Sequence, residues 1–251
     1  IRDRVYRAML ALYQHEADID MLSVEREMRR IDPEHATQLN GLAFIADGML
    51  KVRNARFIKT YAAWVIRCWV LRQAIAGHLA AFRGMRVDPE NILIGAGTDF
   101  LYNLLIQLLG REKVYAVEEP GYGKIRKIYA AGGVKTVSAA MDDRGVIPES
   151  LGSADVLHIS PSHHFPTGIA TPVSRRRELL DWANQGKKWI IEDDYDSEFR
   201  FDAHPVPAMQ SLDDGGRVIY MNSFSKSLAP SIRISYMVLP ACLLYTSPSP
   251  R

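Results

Sequence analysis

Cysteine is almost missing from this chain: Cys68 and Cys242 stand far apart and outside any metal-ligand spacing. A disulfide framework or a zinc module is therefore not expected, and a reducing, cytoplasmic setting fits. Long hydrophobic runs are missing too. No uninterrupted apolar stretch reaches the roughly eighteen residues that a membrane span needs. Residues 1–6 carry three charges and lack the apolar core of a signal peptide. Neither sign of charge is in surplus. A net charge of +2 gives no basic face of the kind that grips nucleic acid. What remains is an ordinary globular composition of 251 residues, 47% hydrophobic and 24% charged, enough for one large domain or two small ones.

Residues 1–70 carry no recognisable motif and stay unassigned, as an N-terminal segment or linker. Within them, residues 3–30 have helical spacing (Val5, Met9, Leu12, Ile19, Leu22). Tyr61–Leu71, rich in tryptophan and β-branched residues, reads as a buried helix or strand. From residue 71 the pattern changes. Leu71–Arg83 reads as an amphipathic helix closed by Gly84 and Asp88-Pro89. Short apolar runs follow at 92–95, 113–117, 134–138, 155–160, 187–192, 217–222 and 233–239. Helical patterns lie between several of them, at Asp99–Leu109, Gly123–Ala131 and Ser174–Asn184. Strands alternating with helices predict an α/β domain with a largely parallel sheet, whose ligand crevice lies beyond the carboxyl ends of the strands.

The residues just after each strand are thus the candidates for chemistry. After the first run come Gly95-Ala96-Gly97-Thr98 and a helix start, either a phosphate cradle or a plain glycine turn with a threonine cap. After the second comes Glu118-Glu119-Pro120-Gly121-Tyr122, whose tyrosine is either a stacking ring or a surface turn residue. Pro161-Ser162-His163-His164-Phe165-Pro166-Thr167-Gly168 suggests a turn lining a pocket. A metal site is disfavoured, because adjacent histidines seldom face one ion and no third ligand is suitably spaced. The cluster Glu192-Asp193-Asp194-Tyr195-Asp196-Ser197-Glu198 is costly at the end of an apolar strand unless a positive partner sits there. A protonated pyridine nitrogen is one such partner; a solvated loop is the alternative, and the calcium-loop pattern is absent. Finally, Ser223-Phe224-Ser225-Lys226-Ser227, with Arg233 beyond, offers a lysine suited to imine formation and hydroxyls and a guanidinium suited to a phosphate. A non-covalent phosphate loop is the alternative there, and the Walker motif is missing.

Taken in order, GAGT, EEPGY, PSHHFPTG, IIEDDYDSEFR and NSFSKSLAPSIRISYMVLP resemble the fold-type I aminotransferases. The likeness is greatest to the aminotransferase-like domain of the MocR/GabR-type (GntR family) transcriptional regulators, and it covers about residues 71–240. It implies a three-layer α/β/α large domain that binds pyridoxal 5'-phosphate (PLP), with a C-terminal small domain beyond this sequence. It also implies that Lys226 forms the imine with PLP and that Asp193 pairs with the pyridine nitrogen, Asp194 being the adjacent alternative. Tyr195 would donate to the cofactor's phenolic oxygen, Tyr122 would stack on the ring, and His163 would line the cofactor site. Gly97, Thr98, Ser223, Ser225 and Arg233 would hold the phosphate. Phe165 replaces the asparagine of the Asn-Pro-Thr-Gly turn found in many catalytic members.

Two functions follow from the resemblance. One is an effector-sensing domain of a regulator, meeting a small amine or amino acid through an external aldimine, as a homodimer. DNA would be bound only through a winged-helix domain not visible here. The other is a catalytic aminotransferase working on an amino acid and a 2-oxo acid. A non-PLP phosphate-binding module is a distant third. The closing stretch, 241–251, does not continue the family pattern and reads as non-native sequence, so a truncated chain that is not fully active by itself is expected.

Overall fold

The computed structural model describes residues 2–15, 17, 21–31, 58–196, 206–227, 231 and 233–244. It divides into two compact units, Ile1–Ala74 and Ile75–Arg251.

In the first unit, helices α1 (Arg2–Gln14) and α2 (Met21–Ile31) replace the single helical pattern read over residues 3–30. Ala8, Val24, Met28 and Ala62 form its small core, with Met9 and Leu12 packed against it. Of the anticipated apolar stripe, Ile19 lies outside the described residues, as do the side chains of Val5 and Leu22. The ambiguous Tyr61–Leu71 segment is helical, continuous with the anticipated helix after it, in α3 (Ile58–Arg83). Its β-branched and aromatic residues lower helix propensity without forbidding a helix, which is why the sequence alone left both options open. Gly84, at φ 64°, closes it.

The second unit is built on β1 (Ile92–Ala96), β2 (Val114–Glu119), β3 (Lys135–Asp142), β4 (Gly145–Val146), β5 (Val156–Ile159), β6 (Trp189–Asp193), β7 (Val218–Ser223) and β8 (Ile234–Val238). Their order across the sheet is β1-β8-β7-β6-β5-β2-β3-β4. Strands β7, β6, β5, β2 and β3 pair in parallel, while β8 runs antiparallel to both β1 and β7, and β4 is an antiparallel edge on β3. The sheet is mixed and mostly parallel. All seven runs read from the sequence are strands; the two-residue β4 is too short to have shown a periodicity.

Alternation along the strands places the core on both faces. On one, Tyr115, Val117, Val156, Ile191, Ile219 and Met237 pack against α4 (Thr98–Leu109) and α5 (Gly123–Ala131). On the other, Ala116, Leu157, Ile190 and Val218 pack against α6 (Val173–Gly186) and the short α7 (Met209–Leu212). Each valine, leucine, isoleucine or methionine among them contributes about 1.5–3 kcal/mol by leaving water, so helices on both faces are the favourable way to cover strands that are apolar on both sides. The three layers place helix, sheet and helix in that order. Leu243, in the last short helix α8 (Ala241–Leu244), belongs to the first cluster, so the beginning of the 241–251 stretch is part of the core; 245–251 lie outside the described residues.

Candidate active site at the strand ends

Since β8 is antiparallel to both its neighbours, β1 and β7 run the same way, and the carboxyl ends of β1, β2, β5, β6 and β7 share one edge of the sheet. Ala96, Glu119, Ile159, Asp193 and Ser223 end these strands. A cavity of about 480 Å³ opens there. Of the residues singled out in the sequence, Thr98, Tyr122, His163, Asp193, Tyr195, Ser223, Ser225 and Lys226 all line it. Gly97 and Arg233 are not on that wall but lie together beside Thr98. Glu198 and the 228–230 part of the lysine loop lie outside the described residues.

The two adjacent aspartates have opposite fates. Asp193 ends β6 with its side chain in the cavity; its Oδ2 accepts the Tyr102 hydroxyl and lies 3.6 Å from His158 Nε2, whose Nδ1 is 2.6 Å from the Tyr129 hydroxyl. Among the described residues its buried Oδ1 has no hydrogen-bond partner. Asp194 turns to the other side. Its Oδ2 pairs with Arg83 Nε at 2.9 Å and accepts the Tyr220 hydroxyl at 2.7 Å. Burial pulls the Arg83 guanidinium down, but Asp194 and Tyr220 beside it hold it above its ordinary value.

Lys226 reaches over the Tyr195 ring, its Nζ 4.4 Å from the ring centre and 3.8 Å from Asp196 Oδ2. The Tyr195 hydroxyl donates to the His163 carbonyl at 2.9 Å, and burial, then Asp196, Asp193 and Glu118, push it up to about 12. His163 stacks on Tyr195, and its Nδ1 lies 2.6 Å from Asp196 Oδ2. His164 turns elsewhere, its Nδ1 2.7 Å from Thr167 Oγ1. The paired histidines therefore serve separate partners. Tyr122 is half exposed and meets Phe165 edge-on at 6.2 Å.

The glycine turn differs in one detail from its sequence reading. Gly97, at φ 96°, is the residue that caps α4, and Thr98 is the first residue inside the helix. No side chain caps that helix start, so its first amides face outward. A Cβ at Gly97 would stand 3.3 Å from Arg233 Nη2. The guanidinium thus closes on bare backbone, leaving a cradle of amides and positive charge suited to a phosphate. A ring nitrogen, an aldehyde and a phosphate ester together need a free carboxylate oxygen, a lysine and such a cradle. Asp193 Oδ1, Lys226 and the Gly97–Arg233 pair are those groups, and they fit PLP.

Sequence reasoning missed Tyr102, Glu118, Arg126, His158, Ser160 and Asp196, which also line the cavity. Tyr102 sits on the buried face of α4 and His158 within β5, so both read as core until the sheet is assembled. Glu118 and Asp196 stood inside the quoted motifs, and only their proximity to the cavity distinguishes them.

Residues 69–244 match the family description Aminotransferase class I and II, and residues 2–67 match a second, DnaB-like helicase N terminal domain. The uncharacterized HTH-type transcriptional regulator YdeL of Bacillus subtilis (strain 168) is 43% identical over 176 residues, which are 69% of this chain and 38% of that protein. The probable rhizopine catabolism regulatory protein MocR of Rhizobium meliloti is 38% identical over 180 residues, 70% of this chain and 36% of the relative. Among solved structures, the kynurenine aminotransferase of Pyrococcus horikoshii, in complex with PMP, superposes with a TM-score of 0.64 at 27% identity, covering 70% of this chain and 46% of that one. The chain thus spans less than two-fifths of the length of these curated relatives. With the match extending over most of the second unit and the fold and cavity agreeing with it, the chain belongs to the aminotransferase class I and II family, whose cofactor is pyridoxal 5'-phosphate.

Proposed function

We propose that this chain is the PLP-binding, aminotransferase-like domain of a MocR-type transcriptional regulator, which senses a small amine or amino acid. The observation that carries the PLP reading is the meeting of Lys226 and Asp193 on the wall of one cavity. Bound PLP supplies an aldehyde that condenses with amines and a ring that withdraws electrons when its nitrogen is protonated. Lys226 would be the covalent anchor and, with its amine free, would carry the proton. Asp193 would keep the ring nitrogen charged, while the Tyr102 hydroxyl, donating to Oδ2, orients the carboxylate and His158 Nε2 lies 3.6 Å from the same oxygen. Gly97, Thr98, Ser223, Ser225 and Arg233 would hold the phosphate, Tyr122 would stack on the ring, and Tyr195, whose hydroxyl donates to the His163 carbonyl here, would donate to the phenolic oxygen with His163 beside it.

The regulator reading is supported by the curated relatives, one named as an HTH-type transcriptional regulator at 43% identity and one as a probable regulatory protein at 38%. A catalytic aminotransferase is the second reading, supported by the enzymes among the solved neighbours. The longer protein works in the cytoplasm as a homodimer and meets DNA through a separate domain. PLP incubation followed by borohydride reduction tests the site. The expected result is one pyridoxyl adduct, on Lys226, absent from Lys226→Ala; an adduct on other lysines alone refutes the assignment. For the longer protein, operator binding that responds to an amine selects the regulator, and steady transamination without operator binding selects the enzyme.

A further inference from the structure

Asp196 stands on the cavity wall one residue beyond Tyr195, and the roles above leave it without a task. Its side chain is only 11% exposed, and Oδ2 faces two groups at once. His163 Nδ1 is 2.6 Å from that oxygen and Lys226 Nζ 3.8 Å. The first distance is a hydrogen bond, and because an ionised carboxylate only accepts, the imidazole brings the proton on Nδ1. The second is too long for a hydrogen bond and short enough for attraction between charges. His163 is fixed in turn by Tyr195: the rings stack at 6.3 Å and 23°, and the Tyr195 hydroxyl donates to the His163 carbonyl at 2.9 Å. The acid is thus anchored on the His163–Tyr195 pair, while Lys226, with a side chain 55% exposed, rests against it. Among the described residues Asp196 is the one carboxylate paired with Lys226.

The other neighbour of the amine is the Tyr195 ring face, with Nζ 4.4 Å from its centre. Both contacts are made to a charge. A carboxylate and a tyrosine face attract an ammonium, and a neutral amine in the same place forfeits that attraction. A carbonyl carbon, by contrast, is attacked by the nitrogen lone pair, which opens only after a proton has passed to solvent. Holding the lysine and using it are opposed.

We propose that Asp196 is a positioning residue that restrains the uncondensed amine of Lys226, keeping its ammonium over Tyr195 and slowing its reaction with any carbonyl ligand that enters the cavity. The restraint stands on the contacts just given; release to PLP in particular rests on the reading of the cavity as a PLP site. The geometry also sets its size. An ion pair with one partner well exposed shifts an equilibrium by about two- to fivefold, so Asp196 delays Lys226 and does not block it. The same contacts keep the amine at the cavity wall, where a long, otherwise unpaired side chain would spread over many rotamers.

The test uses the full chain, first without PLP. Trace acetylation with acetic anhydride, read by mass spectrometry, compares Lys226 with Lys188, whose Nζ lies over the Trp182 ring at 4.7 Å and donates to the Gly152 carbonyl. That reference shares the ring contact and lacks the acid. Asp196→Asn keeps an acceptor for His163 and removes the charge, and it is expected to raise the Lys226-to-Lys188 ratio about two- to fivefold. Asp196→Glu restores the charge and should return the ratio toward wild type, and the His163 ring nitrogen signals should keep the Nδ1 proton in each protein. An unchanged ratio in Asp196→Asn overturns the restraint. So does a rise that Asp196→Glu shares and that comes with loss of the His163 signal, since that is only a loosened loop. If the variants do not fold, the wild type carries the test: raising salt from about 0.05 to about 0.5 M screens the pair, and a ratio that stays flat counts against the proposal. With PLP, borohydride trapping should place the pyridoxyl group on Lys226 faster in Asp196→Asn by a similar factor, and equal rates overturn the release. A raised acetylation ratio with no pyridoxyl on Lys226 in either protein would sink the cofactor reading and leave the restraint intact.

Discussion

Asp193 and Asp194 are chemically identical neighbours, and the half-turn between successive strand residues sends one into the cavity and the other into a buried ion pair. Their substitutions should therefore fail differently. Asp193→Ala removes the unpaired Oδ1 and is expected to weaken PLP binding about 10- to 100-fold, the scale of a lost hydrogen bond to a charged group. A fluorescence titration with PLP measures it, and unchanged affinity refutes the role. Asp194→Ala leaves Arg83 buried without its partner, so it should cost about 3–5 kcal/mol of stability, read by urea unfolding, while a protein still folded keeps its PLP site. The sequence showed that a carboxylate stood there. It did not show which of the two faced the ligand, because that depends on where β6 ends and how it is registered on β7, Asp193 standing opposite Met221.

At the scale of elements, the site is held by joints between loops and helices. Arg176, fully buried in α6, donates to the carbonyls of Pro161, Thr171 and Pro207 at 2.7–2.8 Å and so ties the loop after β5 to the segment before α7. Glu192 accepts the amides of Met209 and Gln210, bracing the same segment against β6. Arg176→Met should destabilise the second unit toward urea by about 3–5 kcal/mol, because three carbonyls lose their donor and Glu192 loses its ion-pair partner at 3.7 Å together. The start of α4 makes a second test. Gly97→Ala puts a side chain at φ 96° and within 3.3 Å of Arg233. It is expected to cost about 1–3 kcal/mol in backbone strain and to weaken PLP more than it weakens pyridoxal, which lacks the phosphate. Equal losses for both ligands would refute the phosphate cradle.

For the whole molecule, ligand and proton linkage are the measurable quantities. PLP at about one hundred times its dissociation constant should add about 2.7 kcal/mol, a rise of roughly 5–10 °C in melting temperature for a chain of this length; no rise would count against a formed site. Burial, with Asp194 next, pushes Glu192 up to about 7, as burial pushes Glu118 up to about 8. Both folded values exceed the ordinary carboxylate range, so both contributions are present at low pH and are lost as pH rises through about 7 and 8. Stability of the unliganded chain should thus decline from weakly acidic to weakly alkaline pH, and Glu192→Gln should flatten the lower part of that decline. A curve that rises over this range would contradict the assignment.

The linear sequence determined the strand and helix alternation, the loops that carry Lys226, Asp193 and Arg233, and the family, because apolar periodicity and short motifs are local properties of a chain. Tertiary structure alone decided that α3 is one helix, that Gly97 and not Thr98 caps α4, and that Leu243 joins the core. It alone brought Tyr102, His158 and Glu118 to the same cavity as the motifs. These depend on strand order and register, which bring residues far apart in the chain, such as Tyr102 and Asp193, into contact. No local pattern encodes that contact before the sheet exists.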